Sequence, residues 1–70
     1  MISMKDVFSG AVSRVGHDSE TGELLVEWKD GKVSAYAGVD PLVVDEISRS
    51  HSVGRAIHSQ IKGKYSHRYR

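Results

Sequence analysis

Cysteine is missing from all 70 residues. That excludes a disulfide framework and a thiolate metal site, and it suits a reducing, cytoplasmic setting. No apolar run approaches the ~20 residues that span a bilayer. The opening segment Met1-Ile2-Ser3-Met4-Lys5-Asp6 has no apolar stretch, so no signal peptide is expected. The classes of site that carry catalysis are also missing. There is no nucleophile elbow, no phosphate loop and no carboxylate pair with an evident pocket. His51, His58 and His67 lie seven and nine apart, without the spacing of a helical zinc pair. Asp18, Glu20 and Glu23 crowd one turn without a calcium-loop pattern and read as solubilising residues. A chain this short buries only ~60% of its unfolded surface and rarely encloses a ~300 Å³ pocket. A non-enzymatic binding module without metal, cofactor or membrane attachment is expected, and nothing signals an oligomeric state.

One further absence organises the rest. From Arg49 to Arg70 there is no acidic residue, while Arg49, Arg55, Lys62, Lys64, Arg68 and Arg70 are all basic. Residues 1–48 carry the other four bases and all nine acids. The near-neutral total of +1 therefore divides into −5 before Arg49 and +6 after it. Such a field acts on partners rather than on fold. Tyr65 and Tyr69 are interleaved with the terminal bases, and aromatic faces beside cations are the ingredients of a nucleic-acid surface.

Read in order, residues 1–8 have no clear period and are expected to be a flexible N-terminal segment. Ala11 to His17 is a strand with a bulge, because Val12 and Val15 are three apart. Asp18-Ser19-Glu20-Thr21-Gly22 is a turn, with Gly22 able to take positive φ. Leu24, Val26 and Trp28 alternate with Glu23, Glu27 and Lys29 in a second strand; Leu25 is the exception. Asp30-Gly31 is a hairpin signal, and Lys32 to Ala37 is the third strand. Asp40 then caps a helix with Pro41 at its first position. Leu42, Val43, Val44 and Ile47 give it an apolar side. Ser52 is a second cap candidate, followed by the stripe Val53, Ala56, Ile57 and Ile61, with Gly63 as the stop. The fold class is α+β: a small three-stranded antiparallel β-meander followed by two short helices, in a single domain over residues 9–65. Residues 66–70 are left as a basic tail, extended or disordered.

These residues resemble the KTSC family, a short domain named for the C-terminus of some lysyl-tRNA synthetases. The resemblance runs through Ser9-Gly10-Ala11-Val12, Val15-Gly16-His17-Asp18, Leu24-x-Val26-x-Trp28, Gly31, Tyr36 and Gly38-Val39. It closes with Ser52-x-Gly54, Ile61 and Lys62-Gly63-Lys64-Tyr65. It covers about residues 9 to 69 without a gap. A Tyr-x-Tyr of the family reads Ser34-Ala35-Tyr36 here, its Pro is displaced to Pro41, and a position often filled by Asn is His58. The resemblance implies a stand-alone domain of the bacterial or phage type, with RNA binding as the usual suggestion.

On the second helix, Arg55, His58 and Lys62 are three and four apart and share the wet face opposite the apolar stripe. Lys62 equally suits the helix C-terminal dipole. With Lys64, Arg68 and Tyr69 they form the candidate partner-binding set. Tyr36 is expected to pack on the sheet, Tyr65 to pack back on the domain, Tyr69 to be free, and Trp28 to be core. Two partners suit the charge pattern. One is RNA or another nucleic acid, held through phosphate and shape. The other is a host protein machine such as bacterial RNA polymerase, bound by a small phage-type regulator of transcription in the host cytoplasm. The acidic first half distinguishes them: it repels a wrapped nucleic acid and complements a basic protein patch.

Overall fold

The computed structural model describes residues 2–70. Its strands are β1 (Ile2–Asp6), β2 (Val12–Asp18), β3 (Glu23–Trp28), β4 (Val33–Tyr36) and β5 (His67–Tyr69). Helices α1 (Pro41–Ser48) and α2 (Val53–Gln60) fall between β4 and β5. The chain is α+β, but the sheet has five strands, not three. All neighbours are antiparallel, in the order β1-β2-β3-β4-β5. The two additions are the segments expected to be a flexible N-terminus and a basic tail. Ile2 pairs with Asp18 and Asp6 with Arg14, so β1 flanks β2. Tyr36 pairs with His67 and Ser34 with Tyr69, so β5 flanks β4.

The central strands follow the sequence pattern. Gly22 (φ 75°) turns β2 into β3, and Gly31 (φ 95°) turns β3 into β4. The Val12/Arg14 register shift in β2 is the bulge that the Val12–Val15 spacing requires. Leu24, Val26 and Trp28 share a face with Val12, Val15, Ser34 and Tyr36 through the register, and this face receives the helices. The other face carries Arg14, Leu25, Glu27, Ala35 and, at the edges, Met4 and Arg68. Leu25 breaks the alternation because that second face also buries apolar surface: Leu25 and Ala35 are both buried there.

Asp40 caps α1 through Oδ1, which accepts from Leu42 N–H at 2.8 Å. Val44 and Ile47 are buried and Val43 packs against them, but Leu42 is 73% exposed. Its position in the first turn points it away from the sheet, contrary to its place in the apolar run. Before α1, Val39 N–H donates to Gly22 O at 3.1 Å, and His17 Nε2 lies 3.1 Å from Val39 O. These bonds fix the entry of α1 over β2. Ser52 makes no side-chain cap for α2; Ser50 Oγ instead accepts from Ser52 N–H at 3.2 Å. Val53, Ala56, Ile57 and Ile61 bury the expected stripe, and Gly63 (φ 83°) reverses the chain toward β5. Tyr65 is half-buried against this core.

Candidate functional site

β5 is three residues long, and strand alternation sends its side chains to opposite faces. His67 and Tyr69 face the helix-covered side, where their register partners are Tyr36 and Ser34. Arg68 faces the other side, opposite Ala35. The front residues meet α2 across a half-open groove of about 560 Å³. Its sheet wall is Trp28, Ser34, Tyr36, His67 and Tyr69; its helix wall is Gly54, Ile57, His58, Lys62 and Gly63. Ala11 completes the lining. A 70-residue chain builds a groove of this size because α2 and β5 leave a cleft open to solvent, rather than enclosing a cavity.

The floor is well determined by polar bonds. Trp28 Nε1–H donates to Ser34 Oγ at 2.8 Å. Tyr36 is buried, and that burial raises its phenol pKa, partly opposed by the Ser34 hydroxyl. The Tyr36 and His67 rings lie 4.8 Å apart, tilted by 40°. His67 and Tyr69 meet edge to face at 4.7 Å. An aromatic series thus climbs from the core to the rim and ends on Tyr69, which is 65% exposed.

Of the six residues singled out in the sequence, the fold brings three together. His58, Lys62 and Tyr69 line the groove. Arg55 and Lys64 are exposed outside its lining. Arg68 lies on the opposite face of the sheet, where Nε and Nη2 donate to Glu23 at 2.8 and 3.0 Å. Sequence reasoning overlooked His67, Ser34, Gly54 and Ile57 as lining residues. The signal for His67 was present: His67 and Tyr69 share a parity that Arg68 and Arg70 do not. Trp28 is only half-buried. It packs against the core edge and also forms part of the groove wall.

The back of β5 is an ion-pair lattice. Arg70 Nη1 donates to Asp18 Oδ2 at 3.0 Å and to Glu23 Oε1 at 3.3 Å, beside the Arg68–Glu23 pair. Asp18 and Glu23 are both buried. The Arg68 guanidinium, assisted by the Thr21 hydroxyl, holds the Glu23 carboxyl at about 2, and Arg70 lowers that of Asp18. Arg14 and Glu27 form a two-bond pair at 2.8 and 2.7 Å on the same face. The charge polarity of the sequence is therefore partly cancelled on folding: two C-terminal bases are spent on N-terminal acids, and Arg49 pairs with Asp45 at 3.1 Å. Among the described residues, no cluster of three or more His, Cys, Asp or Glu side chains is placed to hold a metal ion. No helix among them is long and apolar enough to cross a membrane.

Both the family comparison and the comparison with solved structures point the same way. The family model of the KTSC domain matches residues 8–65. The crystal structure of a KTSC domain protein from Yersinia pestis superposes with a TM-score of 0.84 at 25% identity, covering 97% of this chain and 96% of that one. No curated protein sequence matches the chain.

Proposed function

This chain belongs to the KTSC domain family, and on that fold we propose that the groove between α2 and β5 binds single-stranded RNA. The observation that carries the proposal is the aromatic series Tyr36–His67–Tyr69 facing Lys62 and His58 across one groove. A base has a π-face that stacks on an exposed ring, and its phosphate needs a cation within reach. Tyr69 supplies the ring at the rim, and Lys62 supplies a point charge on the facing helix. Ser34 and Tyr36 place hydroxyls at the floor. The acidic side chains of the central strands lie on the other face of the sheet and do not oppose a phosphate in the groove. No reaction is assigned to the site; it holds its ligand.

Trp28 is the sole tryptophan and lines the groove, so its fluorescence reports occupancy directly. Titration with single-stranded oligonucleotides should perturb that signal. Tyr69→Ala should cost ~1–3 kcal/mol of binding, the usual loss for one stacked base. Lys62→Ala should weaken all sequences alike and flatten the salt dependence by about 0.7, as expected for one phosphate contact on a single strand. Unaltered affinity in the Tyr69→Ala/Lys62→Ala double variant would refute this reading. A protein partner, such as a host RNA polymerase, is a second reading favoured by Leu42, an exposed apolar side chain on α1 that is not part of the groove. It requires that Leu42→Ala weaken binding to the purified polymerase.

A further inference from the structure

Phe8 is fully exposed, the most exposed large hydrophobic side chain among the described residues. The residues around it are not free. Val7 packs against the core and its N–H donates to Ser13 O at 3.3 Å. Ser9 Oγ accepts from Ala11 N–H and Val12 N–H, each at 3.3 Å. The ring is thus held in solvent on a fixed base. That base abuts the groove: a Cβ at Gly54 would lie 3.8 Å from Ser9 Oγ, and both Gly54 and Ala11 line the groove. Tyr69 and Gly63 lie among the lining residues that follow α2 in the chain.

We infer that Phe8 is a second base-stacking platform, so that one single strand of RNA runs along α2 from Phe8 to Tyr69. This rests on the reading of the groove proposed above. Gly54 lies in the first turn of α2 and Gly63 in the turn beyond its end; the helical part, from Gly54 to Gln60, rises roughly 9 Å. The helical part alone accommodates about three stacked nucleotides at ~3.4 Å each, and fewer if the strand is extended. Arg55 follows Gly54 and Lys62 precedes Gly63, so a cation stands toward each end of the helix wall. The arrangement gives Arg55, exposed but outside the groove lining, a phosphate to contact at the Phe8 end. It also accounts for a large aromatic held outside the core of a domain with few aromatics.

The test uses an adenylate dinucleotide and an adenylate octanucleotide, with Trp28 fluorescence as the readout. For the octanucleotide, Phe8→Ala should weaken binding about 5- to 100-fold, the equivalent of one lost stack. Phe8→Leu should lose nearly as much, because it keeps apolar bulk and removes the ring. The dinucleotide is too short to reach both platforms, and its affinity should not respond to Phe8→Ala. Melting temperatures should match the wild type, since Phe8 contributes nothing to the core. Octanucleotide affinity unchanged in Phe8→Ala but reduced in Tyr69→Ala overturns the two-platform path and leaves the groove reading standing. Retention of affinity in Phe8→Leu overturns stacking as the role of Phe8. Failure of the wild type to respond to any oligonucleotide overturns the groove reading, and this inference with it.

Discussion

Gly16→Ala tests whether β1 is an integral strand. Gly16 lies in β2 directly opposite Met4, with Leu25 on its other side. A Cβ built there would overlap the Ser3 carbonyl oxygen and the Met4 sulfur, and would lie 2.9 Å from Met4 Cα. Met4 is flexible and its sulfur would give way. The Ser3 carbonyl belongs to the backbone of a paired strand and cannot move without disturbing the β1–β2 ladder. Alanine gains ~0.5–1 kcal/mol over glycine in a strand by restricting the unfolded chain. Overpacking against a fixed group costs ~1–3 kcal/mol. The clash should win, with a net loss of about 1–2 kcal/mol. For a domain of this size that lowers the melting temperature by roughly 5–15 °C. Thermal denaturation gives the total, and amide hydrogen exchange locates it. Protection should fall at β1 and its partners in β2, while β3 and β4 stay protected. A variant with unchanged melting temperature and unchanged β1 protection would show that β1 does not sit as described.

Two other outcomes follow from the core and from the back of the sheet. Ile61 is fully buried at the end of α2, so Ile61→Ala should cost about 2–5 kcal/mol by chemical denaturation, enough to leave a small domain largely unfolded. Acid should act through Glu23: its folded pKa is about 2 against 4.5 for the free side chain, so its stabilising contribution is complete above ~4.5 and is lost as pH falls through 2. Stability measured from neutral pH down to ~1.5 should decline over that window, and Glu23→Gln should remove that part of the decline. Identical acid profiles for the two proteins would contradict the pairing with Arg68.

The parts of the fold that were legible in the sequence are those with a buried face and a local signal. Leu24, Val26 and Trp28 alternate because one side of β3 meets the helices. Asp30-Gly31 and Asp40-Pro41 mark turns that need only their own residues. β1 is not legible in this way. Ile2, Ser3, Lys5 and Asp6 are all exposed, so the strand has no buried face to impose a period, and its pairing is set by distant Gly16. The same holds for β5, where all three residues are exposed. Its period of two is visible in the alternation of ring and guanidinium, but a run of bases at a chain end reads equally well as a solvated tail. What locates β5 is the pairing of Arg68 and Arg70 with Glu23 and Asp18, more than 40 residues earlier. The run Leu42-Val43-Val44 also overstates Leu42, because a helix turns about 100° per residue and sets Leu42 nearly opposite the buried Val44. In the candidate site, Lys62, His58 and Tyr69 were recognisable as exposed cationic, imidazole and phenol side chains. That Arg68 belongs to another face was not, since it depends on the parity of a strand whose existence is a tertiary fact.

The order of the strands also determines the order in which the groove assembles. β1 through β4 are joined by three short connections, so their pairings are local and close quickly. β5 instead returns to β4 only after residues 37–66, which contain both helices. That closure carries the largest loop-entropy cost in the sheet, and it is held by an exposed three-residue strand and by ion pairs. The β5 wall should therefore be the last part of the molecule to form and the first to open, with the β-meander still intact behind it. A ligand spanning α2 and β5 would oppose that opening by mass action. Its binding should be visible as slowed exchange at the β4–β5 ladder before any change in the global unfolding temperature.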